Sequence, residues 1–241
     1  MKPSILTVGS SIKTVINSVL DLVFPNSCAM CHQLIDRQDL ACEACIVRFA
    51  NLTSKHLENA TTTLEVFSMF SYSHMTKKLV LGKFWQDTSS LFKAGFALKH
   101  CPRLLTALQR SDVKKWIIVP VPLHWTREFF RGFNQAQILA RGFSSAMNFE
   151  VIEAITRARR TEFQSKTENK IARVKNILGA FTLNTFRMIG RTENYLQQKF
   201  AGTGVILLDD LLTSGATLLE CSKVIKRELK PTKIIGLTLC R

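Results

Sequence analysis

Val205-Ile206-Leu207-Leu208-Asp209-Asp210-Leu211-Leu212-Thr213-Ser214-Gly215-Ala216-Thr217 passes from an apolar run to two carboxylates, a hydroxyl-rich turn and the start of a helical pattern. An apolar run of this kind reads as a strand buried on both faces, which delivers the following turn to the carboxyl edge of a parallel sheet. Gly215 and Ala216 allow close backbone approach. Amides at the helix start, with the hydroxyls of Thr213, Ser214 and Thr217, form a cradle for a phosphate. Asp209 and Asp210 can accept hydrogen bonds from vicinal sugar hydroxyls or support a magnesium ion. A paired acidic cap on an ordinary helix is the competing reading. No Walker lysine follows Gly215, and Gly202-x-Gly204 lies on the wrong side of its strand for a dinucleotide fingerprint.

Outward from this segment, short branched runs at Leu64–Tyr72, Trp116–Val121, Glu150–Ile155, Gly204–Leu208 and Lys233–Leu239 alternate with helical patterns. Such alternation predicts an α/β domain, a parallel sheet with helices on both faces, over residues 64–241. Ile12, Val15, Ile16, Val19, Leu20 and Val23 recur at helical spacing, so residues 1–24 are expected to carry an amphipathic helix that ends before Pro25. Residues 46–63 read as a connector. Arg157 to Lys175 holds seven basic residues against two acidic ones and reads as a solvated basic loop.

Four of the seven cysteines stand as Cys28-x2-Cys31, ten residues, Cys42-x2-Cys45. Two such knuckles offer four thiolates to a tetrahedral zinc and leave no position open to substrate, so residues 25–60 are expected to form a small zinc ribbon with a structural metal. A thioredoxin-like redox motif would need only one pair. Cys101, Cys221 and Cys240 lie in apolar contexts and read as reduced. With no cleavage site after the first apolar stretch, they favour a cytoplasmic address, with any association with the inner face of the membrane made through partners. At 46% hydrophobic and 21% charged residues, the 241-residue chain is neither disordered nor membrane-spanning in composition. Its net charge of +15 favours phosphates, nucleic acid or an anionic surface as partners.

The Asp209-Asp210-x-x-Thr213-Ser214-Gly215-Ala216-Thr217 string resembles the phosphoribosyl pyrophosphate (PRPP) signature of type I phosphoribosyltransferases. Pro120-Val121-Pro122-Leu123-His124, Arg127, Arg131-Gly132-Phe133-Asn134-Gln135, Lys83-Phe84, Gln164, Arg173, Asn176 and Gly179-Ala180-Phe181 are similar to the ComF/GntX branch, which joins a four-cysteine zinc ribbon to that fold and includes late competence proteins. Thr167 and the spacing after Gln164 depart from its pattern. The resemblance implies a magnesium-dependent PRPP site. Asp209 and Asp210 are its acidic pair, and residues 213–217 with Pro122, Leu123, His124, Arg127 and Arg131 hold the phosphates. Arg160, Gln164, Lys166 and Arg173 lie on a flexible basic loop.

Three functions follow. One is a competence protein that supports natural transformation by handling single-stranded DNA, with Phe84, Trp85 and Trp125 beside Lys77, Lys78, Lys83 and Arg127 as stacking platforms. Another is an active phosphoribosyltransferase with an unknown acceptor, for which no Ser-His-Asp set is needed because developing charge is stabilised by cations. The third is an adaptor whose zinc module docks a ComFA-like helicase or other competence proteins.

Overall fold

The computed structural model describes residues 26–28, 31–36, 39, 41–59, 62–71, 88–123, 132–158, 177–184 and 193–241. The helix expected within residues 1–24 lies outside them, as do the stacking candidates Phe84, Trp85 and Trp125.

Strands β1 (Ala50–Asn59), β2 (Thr62–Phe70), β3 (Trp116–Pro120), β4 (Glu150–Val151), β5 (Ile155–Arg157), β6 (Phe181–Leu183), β7 (Gly204–Leu211) and β8 (Lys233–Cys240) build two sheets. The larger has the order β1-β2-β8-β7-β3-β4. Every neighbour pair in it from β2 to β4 is parallel, and β1 is an antiparallel edge strand. The expected α/β architecture, a phosphoribosyltransferase-like parallel sheet preceded by a cysteine cluster, is the one observed.

Strand alternation sorts side chains to two cores. Ile206 and Leu208 of β7, with Trp116 and Ile118 of β3, face helices α2 (Thr88–Ala97), α3 (Pro102–Gln109) and α4 (Gln135–Met147). Val205 and Leu207, with Ile117 and Val119, face α5 (Glu193–Phe200) and α6 (Ala216–Leu229). Continuous apolar strands are the consequence of this double cover. Helices α2 and α4 meet backbone to backbone, because a Cβ at Gly95 would collide with the carbonyl of Leu139 and one at Gly142 with that of Phe92.

Three readings of local structure need correction. Residues 46–63 are not a connector: α1 (Glu43–Phe49) runs directly into β1, which pairs with β2 from Ala50↔Phe70 to Asn59↔Thr62. The strand expected over Glu150–Ile155 breaks after Val151. The Ala154 amide turns back to the Ile152 carbonyl at 2.9 Å, a three-residue turn that leads Ile155–Arg157 away to pair with β6. Strand β7 does not stop at Leu208, because its ladder with β8 continues through Asp209↔Thr238 to Leu211↔Cys240.

Among the described residues, no helix is long and apolar enough to cross a membrane.

Candidate functional site

At the carboxyl edge β7 gives way to Leu212, Thr213, Ser214 and Gly215, and α6 begins at Ala216. Gly215 has φ +80°, a left-handed conformation that costs a glycine nothing, and lies under Leu57 of β1, which a Cβ would strike. The Ala216 amide donates to Ser214 Oγ at 3.4 Å, and the Leu219 amide closes the first helical bond on the Gly215 carbonyl at 3.0 Å. Among the described residues, nothing accepts from the amides of Thr213, Ser214, Gly215, Thr217 or Leu218. Five backbone donors at a turn and helix start, beside the hydroxyls of Thr213 and Thr217, suit an anion.

Strand β7 continues through the acidic pair, and the two carboxyl groups stay close enough for their side chains to hydrogen-bond. Asp209 lies on the α6 side, where burial first, and then the neighbouring Asp210 charge, push its carboxyl well above the usual range; Arg157 of β5 opposes the shift. Its Oδ1 accepts from the Asp210 amide at 2.9 Å. Asp209 pairs in register with Thr238, which pairs with Ser68, and the Ser68 and Thr238 hydroxyls hydrogen-bond at 2.8 Å, completing a polar row under α6. Burial and then Asp209 raise the thiol of Cys221. Burial and then Asp210 push Cys240 up to about 12. Arg157 is further held by the Phe181 ring, its guanidinium carbon 5.4 Å from the centroid.

The second motif starts where β3 ends. Pro122 and Leu123 are half-buried at the same sheet edge, while His124, Arg127 and Arg131 lie outside the described residues, as do Arg160, Gln164, Lys166 and Arg173. Asn134, at the start of α4, holds the end of β3. Its Nδ2 donates to the Val121 carbonyl at 3.0 Å, and its Oδ1 accepts from the Ala136 amide at 3.0 Å as the cap of α4. One buried side chain thus ties the residue after β3 to the start of α4. Asn134→Ala is expected to cost about 2–3 kcal/mol, the sum of a lost cap and an unpaired buried carbonyl. Urea denaturation checks this, and a loss below about 0.5 kcal/mol would contradict the fastening role.

The four cysteines converge. Their Sγ atoms all lie within 4.8 Å of one another, close to the ~3.8 Å separation set by four thiolates at about 2.3 Å from a tetrahedral centre. Cys28 Sγ accepts from the amides of Cys31 at 3.5 Å and Cys42 at 3.4 Å, bonds that favour a thiolate. Burial first, and then its three sulfur neighbours, push Cys45 up to about 12; a bound dication would reverse this balance. The donor set and its spacing therefore fit a metal such as zinc. Cys28, Ala41, Cys45 and Ile46 are buried in the same core as α2–α4, and Lys93 of α2 donates to Asn26 Oδ1 at 2.7 Å.

No family model matches the chain. It is 28% identical over 110 residues to Competence protein F of Haemophilus influenzae, which covers 46% of the chain and 44% of that protein. Over 185 residues it is 24% identical to Competence protein ComFC of Bacillus subtilis, covering 72% of the chain and 63% of the relative. The chain is a relative of the ComF-type competence proteins. It is also 30% identical over 140 residues to DNA utilization protein YhgH of Escherichia coli O157:H7, or 58% of the chain and 53% of that protein. The chain thus spans between 44% and 63% of the length of these curated relatives.

Proposed function

We propose that the chain is a ComF-like competence protein that supports DNA uptake in natural transformation through a PRPP-binding site of the phosphoribosyltransferase type. The observation that carries this reading is the set of five unpartnered amides at Thr213–Leu218, directly after two carboxylates on a central parallel strand. In this reading the turn holds the sugar's phosphate. Asp209 and Asp210 accept the ribose hydroxyls and support magnesium, which would neutralise the diphosphate. In the same reading Pro122, Leu123, His124, Arg127 and Arg131 bind that diphosphate, and Arg160, Gln164, Lys166 and Arg173 supply further basic and polar contacts.

The names of the relatives, two competence proteins and a DNA utilization protein, support the pathway. The net charge of +15 supports contact with single-stranded DNA. A cytoplasmic protein with a zinc ribbon of about residues 25–60 beside the phosphoribosyltransferase-type domain fits these roles. That ribbon is the surface for a ComFA-like helicase or another competence protein, through which the protein reaches the inner face of the membrane.

A transformation assay on a deletion strain that carries the Asp209→Asn, Asp210→Asn variant tests site and pathway together. Transformants are expected to fall at least about a hundredfold, on the scale of removing a charged hydrogen-bond pair from a binding site. Wild-type frequency with a folded variant would reject the reading. In parallel, affinity for single-stranded DNA is expected to fall steeply with salt, with a log–log slope of several units; a salt-independent affinity would count against the electrostatic contact.

A further inference from the structure

Beside the hydroxyl turn, on the side away from β3, lies an open cavity of about 350 Å³ lined among the described residues by Lys55, Leu212, Thr213 and Arg241. Three separate elements build it. Lys55 is held by the β1–β2 register opposite Val66, Arg241 follows β8 with its amide bound to the Phe70 carbonyl at 3.1 Å, and Thr213 belongs to the turn after β7. Leu212, only 6% exposed, supplies the apolar floor. Both cations are exposed, and neither has an ion-pair partner among the described residues. Unpaired cations that border one cavity repel each other until an anion enters.

We infer that this cavity is a second anion site that takes a phosphate group. The site adjoins the cradle, with Thr213 at the border of the two, and its Lys55 and Arg241 go beyond the sugar-phosphate reading. Arg241 offers a planar fork of donors matched to phosphate oxygens, Lys55 a mobile point charge and Thr213 a hydroxyl donor. The volume is at the lower end of ligand pockets, which run from about 300 to 1,000 Å³. It suits a phosphate with its attached sugar rather than a large cofactor. Such a group comes either from a free phosphate compound or from the backbone of a nucleic-acid strand, and position beside the cradle lets one ligand engage both.

The full chain with Lys55→Gln, Arg241→Gln and the double change tests this, because both side chains are exposed and the fold does not depend on them. Binding is read by calorimetry with inorganic pyrophosphate and by fluorescence anisotropy with an oligothymidylate of about 12 nucleotides, within the size range of single-strand sites. Each single change is expected to weaken binding about tenfold for at least one probe, at an unaltered melting midpoint. Weakening with the oligonucleotide alone assigns the phosphate to a strand, and weakening with pyrophosphate as well assigns a free anion. Unchanged affinity for both probes in the double variant overturns the inference. The Asp209→Asn, Asp210→Asn variant, titrated with PRPP, reads the other site, so the two readings fail separately.

Discussion

Asp209→Asn is expected to make the ligand-free protein more stable while it removes PRPP binding. The carboxyl is half-buried on the α6 side beside a second carboxylate, and both burial and that neighbour disfavour its charged form. Its native pKa therefore lies above the unfolded value of about 3.9. A group so shifted contributes stability that is fully present below the unfolded value and is lost as pH rises through the native one. Wild type should lose stability as pH rises from about 4, and the Asn variant should lose less. At neutral pH a gain of about 1 kcal/mol corresponds to a melting midpoint some 2–4 °C higher. The same change is expected to weaken PRPP binding at least about a hundredfold, since it removes a charged acceptor of the ribose hydroxyls. Stability gained at the expense of binding is the signature of a strained functional group. A variant that loses stability and keeps affinity would show that Asp209 is a structural residue.

Cys28→Ser should have the larger structural effect. Cys28 is fully buried, accepts two amide hydrogen bonds through its sulfur and belongs to the core shared with α2–α4. Losing one of four thiolates is expected to drop bound zinc from about one per chain to near none. The module's fold goes with the metal. Because Ala41, Cys45 and Ile46 pack into the main core, the loss should reach beyond the module and exceed about 4 kcal/mol, the range of metal or network losses. Elemental analysis with thermal melts reads both. A variant that still holds one zinc, or one that loses zinc at an unchanged midpoint, would contradict the four-thiolate account.

What could be read along the chain depended on whether each segment carries its own pattern. Val205–Leu208 is apolar at every position because it is covered on both faces, so its strand and the turn after it were legible. The cysteine spacing was legible for the same reason, since four like ligands repeat. Strand β1 was not. As an edge strand it carries Thr53, Ser54, Lys55, His56 and Glu58, and its one residue in the second core is Leu57, so it reads as a polar linker. The break after Val151 rests on a three-residue turn that no glycine or proline announces. The contact between the Asp209 and Asp210 carboxyls was not legible, because simple alternation would set neighbours on a strand apart. The meeting of Lys55 with Arg241 was out of reach, because only the strand order β1-β2-β8-β7 brings them to one cavity.

In the proposed reading the unpartnered amides of Thr213, Ser214, Gly215, Thr217 and Leu218 receive a phosphate. A crystal structure of the full chain grown with PRPP and magnesium examines it directly. The account expects the sugar's 5′-phosphate within about 3 Å of those amides, with Asp209 or Asp210 on the ribose hydroxyls. Ligand density elsewhere, over a turn that stays empty at saturating PRPP, would contradict it.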